Sequence, residues 1–346
     1  MHISELDTPA LTVDLDVLEN NISNMATHCQ AIGIDLRVHT KTHKVPEIAK
    51  MQVAAGSKGI TSQKLGEAEA MVDGGLDDIL IPYNIVGKPK VRRLTQLVKR
   101  AKITVALDSE ITAGGISEQA QADGCTVRVI IEQDTGGRRV GVQSPQATLE
   151  LAQKITQMPR LDFQGIMTYG SNIRAKPFID ETVVLLNGAG IPLNIISGGG
   201  TGGEQASKDI GCTETRSGSY AYEGITRVGP KTLDPERCAL RMIVTVVSTP
   251  TADRMIVDGG AKTFTSYPPT PYGYIIGRPD IKMYGMSVEH GQIDVSESQH
   301  KFRVGEQLSI IPVHQGMTSN LHDELVTVRN EQVQEVWKIA GRGKVK

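Results

Sequence analysis

Residues 78–108 read DILIPYNIVGKPKVRRLTQLVKRAKITVALD, and this stretch contains one complete repeat of the predicted fold. A short apolar run at residues 78–82 is typical of a buried strand. Residues 88–100 place apolar side chains three and four apart, as a helix with one buried face does. A second strand-like run follows at residues 103–108. A strand, a helix and a strand in this order predict two parallel strands joined by a helix.

The same alternation continues in both directions along the chain. Strand-like runs recur at intervals of roughly 20 to 35 residues, and segments between them, such as 64–72 and 146–157, have helical periodicity. The eight runs are residues 35–39, 59–62, 78–82, 103–108, 126–133, 161–169, 192–197 and 212–215. Eight strand–helix repeats predict an α/β protein with a parallel (β/α)8 TIM barrel, which we place at residues 14–236.

The pattern changes after about residue 237, where helical periodicity fades. Strand-like runs there occupy residues 241–247, 255–257, 307–311, 324–328 and 334–339. Such runs predict a smaller, mostly antiparallel β domain. The run at residues 10–13 precedes the first barrel helix, and we expect it to pair with this domain. The predicted β domain therefore combines residues 1–13 with residues 237–346.

The composition excludes several classes of protein. With 37 basic and 39 acidic residues, the net charge of -2 gives no electrostatic argument for a nucleic-acid or membrane-surface partner. The 4 cysteines form no CxxC pair, so neither a disulfide framework nor a zinc module is indicated. No uncharged apolar run approaches about 18 residues, and we expect a cytoplasmic protein without a leader or a membrane span. The 36 glycines are an excess that indicates close backbone approach.

The first predicted barrel strand ends in a cluster of cations, RVHTKTHK at residues 37–44. Active-site residues of such barrels lie at the carboxyl ends of the strands. Neighbouring cations and burial lower the pKa of a lysine, and its neutral amine can then form a Schiff base with a carbonyl. A lysine of this cluster is therefore a candidate nucleophile, with a solvated basic turn as the alternative. His39 and His43 are four residues apart, like a metal pair, but they straddle a strand end rather than share one helical face.

Glycine-rich segments follow the seventh and eighth predicted strands, SGGGTGG at residues 197–203 and RSGSY at residues 216–220. These two loops commonly bind phosphate in barrels, because bare backbone amides converge there on an anion. Gly198, Gly200 and Gly203 also satisfy the GxGxxG pattern of dinucleotide-binding proteins, but that pattern belongs after a first strand. Tight turns without a ligand would explain one of these loops more readily than both.

The fifth predicted strand ends in EQDTGGRRVG at residues 132–141, which contains Arg138 and Arg139. An arginine at the barrel mouth can hold a phenolate or a carboxylate, and a surface salt bridge is the alternative, favoured for Arg138. Gln63 and Tyr169 are further polar residues at strand ends, and either could be a loop residue without a role. A reactive lysine together with a phosphate site suggests pyridoxal 5'-phosphate as the cofactor.

Six motifs, in order along nearly the whole chain, resemble the D-threonine aldolase / D-serine dehydratase family. They are RVHTKTHKVPEIA at 37–49, QKLGEAE at 63–69, SGGGTG at 197–202, Glu214 with GSY at 218–220, DGGAK at 258–262 and EHG at 289–291. The resemblance implies the fold of bacterial alanine racemase. It also implies a homodimer in which the β domain of one subunit covers the barrel of the other.

The resemblance also implies roles for individual residues. Lys41 matches the cofactor lysine, Arg139 matches the arginine near the hydroxyl of the pyridine ring, and Gln63 matches a polar residue beside the cofactor. The phosphate binders are matched by Thr201, Gly218, Ser219 and Tyr220. Tyr169, Gly200 and Gly202 complete the expected cofactor site because they belong to the same predicted strand-end loops.

One departure from the family concerns a divalent metal. The family's β domain supplies ligands from His-x-Asp or His-x-Cys after a proline, whereas here His314 is followed by Gln315 and Gly316. Glycine has no side chain to bind a metal, so His314 alone is too little unless His290, His322 or Asp323 compensates. The segment between Tyr169 and the seventh strand also looks short for the family, which predicts a differently shaped substrate mouth.

The leading hypothesis is a pyridoxal-phosphate lyase that acts on small D-amino acids, especially those with a 3-hydroxyl group. It would cleave a D-threonine-like substrate to glycine and an aldehyde, or dehydrate a D-serine-like substrate to a keto acid and ammonia. One alternative is a metal-independent racemase or epimerase on the same scaffold, with Lys41 as one base and the second unidentified. Another is a non-catalytic cofactor-binding protein, against which the second domain argues. A nicotinamide oxidoreductase is the weakest alternative.

Overall fold

The computed structural model describes residues 1–225, 234–268 and 270–346, and the chain forms two compact units. The β unit consists of Met1–Ser23, Thr42–Val45 and Ser219–Gly343. The barrel unit consists of Asn24–Lys41, Pro46–Gly218 and Lys344–Lys346. No helix in the described ranges is both long enough and apolar enough to cross a membrane.

The barrel unit contains a closed barrel of eight parallel strands, as predicted. After β1 (Ala10–Asp14), which belongs to the β unit, the barrel strands are β2 (Asp35–His39), β3 (Gly59–Thr61), β4 (Asp78–Ile81), β5 (Lys102–Leu107), β6 (Val127–Gln133), β7 (Leu161–Thr168), β8 (Ile195–Gly198) and β9 (Glu214–Thr215). The barrel closes where β9 pairs with β2, with Glu214 opposite Asp35.

Helices alternate with these strands. They are α1 (Leu15–Ile32), α2 (Pro46–Ala54), α3 (Leu65–Asp73), α4 (Lys88–Val98), α5 (Glu110–Asp123), α6 (Pro145–Gln157), α7 (Lys176–Gly188) and α8 (Glu204–Asp209). Serines cap two of them: Ser109 accepts from the Thr112 amide before α5, and Ser144 accepts from the Ala147 amide before α6. Each serine thus satisfies one backbone amide of the first helical turn and marks where its helix begins.

The barrel is held by apolar packing between neighbouring strands. One buried cluster takes a side chain from each of five consecutive strands, namely Leu80, Ala106, Ile130, Met167 and Ile195. Such β-branched and aliphatic residues suit strands that are buried on both faces, as parallel strands are. The rigid strand ends therefore form a fixed frame for the loops that follow them.

The β unit contains a mostly antiparallel sheet of nine strands, which confirms the predicted architecture. Its later strands are β10 (Leu240–Thr251), β11 (Arg254–Val257), β12 (Gly273–Ile275), β13 (Lys282–Met286), β14 (Gly291–Asp294), β15 (Gln307–Pro312), β16 (Glu324–Arg329) and β17 (Gln332–Lys338). Two short helices, α9 (Ala261–Phe264) and α10 (Gln315–Ser319), accompany them. Strands β12, β13 and β14 were not predicted from the sequence.

Strand β1 lies inside this sheet, as expected from its sequence. It pairs antiparallel with β10, with Ala10 opposite Ile243, and parallel with β16, with Thr12 opposite Val326. The pairing joins residues at the start of the chain to residues far along it, and one hydrogen bond, from Thr12 to the Arg241 carbonyl, spans 229 positions. The β unit is therefore assembled from distant segments of the sequence.

The four residues Thr42–Val45 also belong to the β unit, although barrel segments precede and follow them. Lys44 Nζ donates to Asn320 Oδ1 at 2.7 Å, and the Lys44 carbonyl accepts from the Gly341 amide at 3.0 Å. The Gly343 amide donates to the same Asn320 oxygen at 3.1 Å. The chain thus leaves the barrel unit directly after Lys41 and is anchored before it returns at Pro46.

Candidate functional site

The candidate site lies at the carboxyl ends of the barrel strands. Strand β2 ends at His39, and Lys41 lies in the 3-10 turn Thr40–Thr42 that follows. Gln63 follows β3, and Tyr169 directly follows β7. Because all eight strands are parallel, their carboxyl ends share one rim.

Lys41 has the electrostatic surroundings of a nucleophilic amine. Its side chain is exposed, so a small molecule can reach it. Desolvation by the surrounding protein, and then repulsion by Arg139 and Arg216, lower the pKa of Lys41, while Glu67 opposes this effect. A lowered pKa increases the fraction of neutral amine near neutral pH, and the neutral amine is the form that attacks a carbonyl.

Arg139 contacts two side chains at the ends of adjacent strands, Glu132 on β6 and Tyr169 directly after β7. Its guanidinium donates to Glu132 Oε1 at 3.1 Å and lies over the Tyr169 ring at 4.3 Å from the ring centroid. Burial raises the pKa of Glu132, an effect that the contact with Arg139 reduces. The structure therefore brings Arg139, Tyr169 and Lys41 into one electrostatic neighbourhood, and in the described part of the chain Arg139 forms an ion pair that Arg138 does not.

The loop that carries Arg139 is shaped by two aspartates. Asp134 Oδ1 accepts from the amides of Gly136 and Arg138, each at 3.0 Å. Asp108 Oδ2, after β5, accepts from the Gly141 amide at 2.9 Å. These bonds tie both ends of the loop to the barrel rim, so the direction of Arg139 is set by backbone hydrogen bonding.

The turn after β8 requires glycine because the backbone approaches neighbouring side chains closely. Gly199 has φ of +80°, and a Cβ there would lie 2.6 Å from Ser207 Oγ and would also meet Thr215. The Gly202 amide is already used, since it donates to Glu204 Oε1 at 2.9 Å. The amides of Gly200 and Thr201, by contrast, donate to no acceptor within the described ranges, which leaves two donors for an anion.

Gly218 joins this turn to the end of β9. Its amide donates to Thr201 Oγ1 at 3.0 Å. A Cβ on Gly218 would lie 2.9 Å from the Cβ of His39 and would also meet the His39 carbonyl. The structure thus brings Thr201 and Gly218 together, with room only for glycine. Ser219 and Tyr220 follow in a 3-10 helix of the β unit, Ser219–Ala221, and their role as phosphate binders stays a prediction.

His39 has protein partners at both ring nitrogens. Its Nε2 lies 3.1 Å from Gln63 Oε1, and its Nδ1 accepts from the Lys41 amide at 3.4 Å. The Gln63 amide nitrogen donates to the Pro82 carbonyl at 3.3 Å. Since both nitrogens are used, His39 has no lone pair left for a metal, and the spacing of His39 and His43 does not mark a metal pair.

A buried polar network that was not predicted from the sequence lies inside the barrel. Arg37 donates to both oxygens of Glu214 and to Asp78 at 2.7 Å. Glu214 accepts from Ser197, which in turn accepts from Arg216 at 2.7 Å. The sequence could have indicated this network, because Arg37, Glu214 and Arg216 are charged residues within or beside short strands that are otherwise apolar. Charged side chains are rarely buried unless they are paired.

The residues in the expected metal region do not fit a divalent-metal site. His314 is the N-cap of α10: its Nδ1 accepts from the Met317 amide, and its ring contacts Tyr267 at 4.7 Å between centroids. Gly316 lies in the first turn of the same helix. His322 Nε2 is 2.9 Å from the Thr263 carbonyl. No group of three or more His, Cys, Asp or Glu side chains suited to a metal occurs among the residues that the structure describes.

Comparison with known protein families gives two consecutive matches along the chain. Residues 13–225 match the N-terminal domain of alanine racemase. Residues 239–328 match a putative serine dehydratase domain. The two matches follow the order of barrel and later β strands in the sequence.

Individual relatives resemble the chain over nearly its whole length. A D-threonine aldolase from Arthrobacter sp is 33% identical over 361 residues, which cover 99% of this chain and 94% of that protein. The crystal structure of D-threonine aldolase from Filomicrobium marinum gives a TM-score of 0.91 at 31% identity, covering 99% of this chain and 98% of that chain. D-threo-3-hydroxyaspartate dehydratase from Delftia sp. HT23 gives 0.88 at 26% identity, covering 97% and 98%. A mutant of D-threo-3-hydroxyaspartate dehydratase is also known in a metal-free form.

Proposed function

Because the chain belongs to the family that joins an alanine racemase N-terminal domain to a putative serine dehydratase domain, we propose that it is a pyridoxal-phosphate-dependent lyase acting on small D-3-hydroxy amino acids. The observation that carries this proposal is Lys41, an accessible lysine at the barrel rim whose pKa is lowered by desolvation from the surrounding protein and by two arginines. Family membership supplies the reaction class, and the surroundings of Lys41 supply a group suited to it.

The residues of the barrel rim suit the cofactor. Lys41 would hold its aldehyde carbon, Arg139 its ring hydroxyl, and Gln63 and Tyr169 would lie beside the ring. For the phosphate we propose Gly200, Thr201, Gly202, Gly218, Ser219 and Tyr220, with the unused amides of Gly200 and Thr201 as the best donors. When bound, pyridoxal phosphate withdraws electrons from the bonds at the substrate's α-carbon.

The chain's own residues supply proton transfer and orientation. Desolvation, and then Arg139 and Arg216, lower the pKa of Lys41, which favours the neutral amine whose Nζ would attack a carbonyl carbon and later accept or return a proton. Glu132 orients Arg139 through a hydrogen bond, and the Tyr169 ring supports the other side of the guanidinium. The buried Arg216 is fixed by Ser197 and by the Thr168 carbonyl, so its charge cannot move away from the site.

We propose cleavage to glycine and an aldehyde as the main reaction, since a D-threonine aldolase is 33% identical over almost the whole chain. Dehydration to a keto acid and ammonia is the second candidate, which the similarity to D-threo-3-hydroxyaspartate dehydratase favours. Since His314 and Gly316 do not fit a metal site, we propose that the reaction is metal-independent. The proposed enzyme is a cytoplasmic homodimer, with residues 14–236 as the cofactor domain and residues 1–13 plus 237–346 as the β domain.

The cofactor is tested by borohydride reduction of the protein after incubation with pyridoxal phosphate, followed by peptide mass spectrometry. We expect one stable label, on Lys41, and none in Lys41→Ala. Lys50→Ala is the matched control, because Lys50 is exposed on α2 and should leave the label intact. A folded wild-type protein without a label, or a label retained in Lys41→Ala, would contradict the proposal.

The reaction is tested by product analysis with D-threonine, D-serine and D-threo-3-hydroxyaspartate, with and without a chelator. We expect glycine and an aldehyde from D-threonine, at a rate that the chelator does not change. A keto acid with ammonia would identify a dehydratase instead, and the L-enantiomer alone would identify a racemase. Complete inactivation by the chelator, reversed by a divalent cation, would refute metal independence.

A further inference from the structure

His39 connects three parts of the candidate site that are distant in sequence. It is the last residue of β2 and is 7% exposed. Its amide donates to the Ser217 carbonyl at 2.8 Å, which ties it to the segment after β9. Its side chain reaches Gln63 after β3, and its ring nitrogen accepts from the Lys41 amide. The residue has no role in the function proposed above.

The hydrogen bonds define the tautomer of the imidazole. The Lys41 amide can only donate, so Nδ1 of His39 must be the acceptor. In a neutral ring the proton then sits on Nε2, which donates to Gln63 Oε1. The orientation of the Gln63 amide agrees, because its nitrogen faces the Pro82 carbonyl, which can only accept. The result is a directed chain from Lys41 through His39 and Gln63 to Pro82.

The surroundings keep this ring neutral. Burial, and then repulsion by Lys41 and Arg216, lower the pKa of His39 well below its ordinary value, which outweighs the hydrogen bonds to Gln63 and the Thr61 carbonyl. A protonated ring would carry a proton on Nδ1 and could not accept from Lys41. The directed chain therefore persists across the neutral pH range.

We propose that His39 is a positioning residue that sets the backbone of Lys41 and the amide of Gln63 relative to each other at the cofactor site. This inference rests on the proposed function, because Lys41 and Gln63 are taken there as cofactor contacts. The imidazole itself transfers no proton. It fixes the direction from which the lysine amine and the glutamine amide approach one ligand.

Two variants test separately the contact of His39 with the Lys41 amide and its contact with Gln63. In His39→Asn, the Asn oxygen lies near the former Nδ1 and can still accept from Lys41, but nothing reaches Gln63. In His39→Gln, the terminal nitrogen lies near the former Nε2 and can donate to Gln63, but the acceptor for Lys41 is lost. His28→Asn is the matched control, since His28 is exposed on α1.

Each variant has its own readout. We expect His39→Asn to raise the dissociation constant of pyridoxal phosphate, measured before reduction, with little change in the pH dependence of Lys41 labelling. We expect His39→Gln to slow labelling and to lower kcat on the order of 100-fold, with KM for the amino acid nearly unchanged, as misplacement of a reacting group does. Wild-type values for both variants in all readouts would overturn the inference.

If the His39 variants do not fold, the inference can still be tested by NMR on protein that keeps His39. In protein labelled with 15N in its histidine rings, we expect one neutral ring with its proton on Nε2, unchanged between pH 6 and 9. The chemical shift of its Nε2 should change in Gln63→Met, because this substitution removes the acceptor of the Nε2 proton. The Gln63 side chain is only half-buried, so we expect this variant to fold. If no histidine ring responds to Gln63→Met, or if the responding ring titrates in this range, the inference is wrong.

The two proposals fail in different ways. If the wild-type protein takes up no pyridoxal phosphate, the proposed function fails, while the NMR experiment still tests the hydrogen-bonded chain. If Lys41 is labelled normally but the His39 variants behave like the wild type, only the positioning role fails.

Discussion

The reactivity of Lys41 depends on side chains that approach it from other strands. Arg139 comes from the loop after β6, and Arg216 follows β9. Both cations lower the pKa of Lys41, after the larger effect of desolvation. A single residue of the sequence therefore becomes chemically distinct only when the barrel brings these charges together.

Arg139→Met should move the pH dependence of Lys41 labelling to higher pH. Removing a neighbouring cation stabilises the ammonium form, so the pKa of Lys41 rises and less neutral amine is present at a given pH. The measurement is the initial rate of borohydride-trapped labelling against pH at saturating cofactor. Arg138→Met is the control, since Arg138 forms no ion pair in the described part of the chain. Equal profiles for wild type and Arg139→Met would count against the electrostatic account.

Some residues of the candidate site could be predicted from the sequence, whereas others depend on partners that are distant along the chain. The clusters that contain Lys41 and Arg139 follow predicted strands, so charge and position indicated both clusters, and the family resemblance indicated these two residues within them. Arg216 also follows a strand, yet its action on Lys41 depends on a side chain held by Ser197 and the Thr168 carbonyl. The role of His39 depends likewise on a hydrogen bond to Gln63, 24 positions away. Such partners depend on barrel closure, which local sequence does not describe.

At the scale of elements, the turn after β8 shows why glycine is required at one position and optional at the next. Gly199 has a positive φ, and its missing Cβ makes room for Thr215 and Ser207, both fully buried. Gly200 has nothing within 4 Å of the Cβ position. Two adjacent glycines therefore have different physical reasons to be there.

Gly199→Ala should destabilise the protein, and Gly200→Ala should not. Overpacking against Thr215 and Ser207 costs about 1–3 kcal/mol, and the left-handed backbone adds about 1–2 kcal/mol for a residue with a Cβ. The thermal midpoint measured by circular dichroism should fall clearly in the first variant only. Equal midpoints for the two variants would show that the turn relaxes around the added methyl group.

Elements of the barrel were easier to predict than those of the β unit. The barrel strands are apolar runs separated by helices with one buried face, and all eight occur where the alternation places them. Strands β13 and β14 were missed because they are short and contain polar residues and glycine, including Gly285 beside a register shift. β12 covers three residues, too few for a period-two pattern to be recognised, and no alternation with helices marks its place as it does for the equally short β3.

At the scale of the whole molecule, an ion network joins the strands that close the barrel. Arg37 on β2 contacts Glu214 on β9 and Asp78 on β4, so it links both sides of β2. Burial would lower the pKa of Arg37, but the two carboxylates outweigh this and raise it. Burial would likewise raise the pKa of Asp78, but Arg37 and Lys102 lower it.

Asp78→Asn should lower stability at neutral pH, and the difference from the wild type should shrink in acid. A carboxyl whose pKa is lower in the folded state stabilises the fold above its unfolded pKa, which is near 3.8 here. That contribution is lost as the pH falls through the folded value, below which Asp78 is protonated in both states. Thermal midpoints from pH 7 down to pH 3 give the test. A constant difference across this range would mean that the ionised carboxylate is not the source.

The central position of β1 has a consequence for the order in which the protein is made. The partners of residues 10–14 in β10 and β16 are synthesised more than 220 positions after them, as the 229-residue span of one bond shows. At bacterial or eukaryotic elongation rates this delay is on the order of 10–50 s. The barrel strands can pair during that interval, whereas the first apolar strand of the chain must wait unpaired. Nascent chains stalled before residue 240 should therefore expose this strand to chaperones.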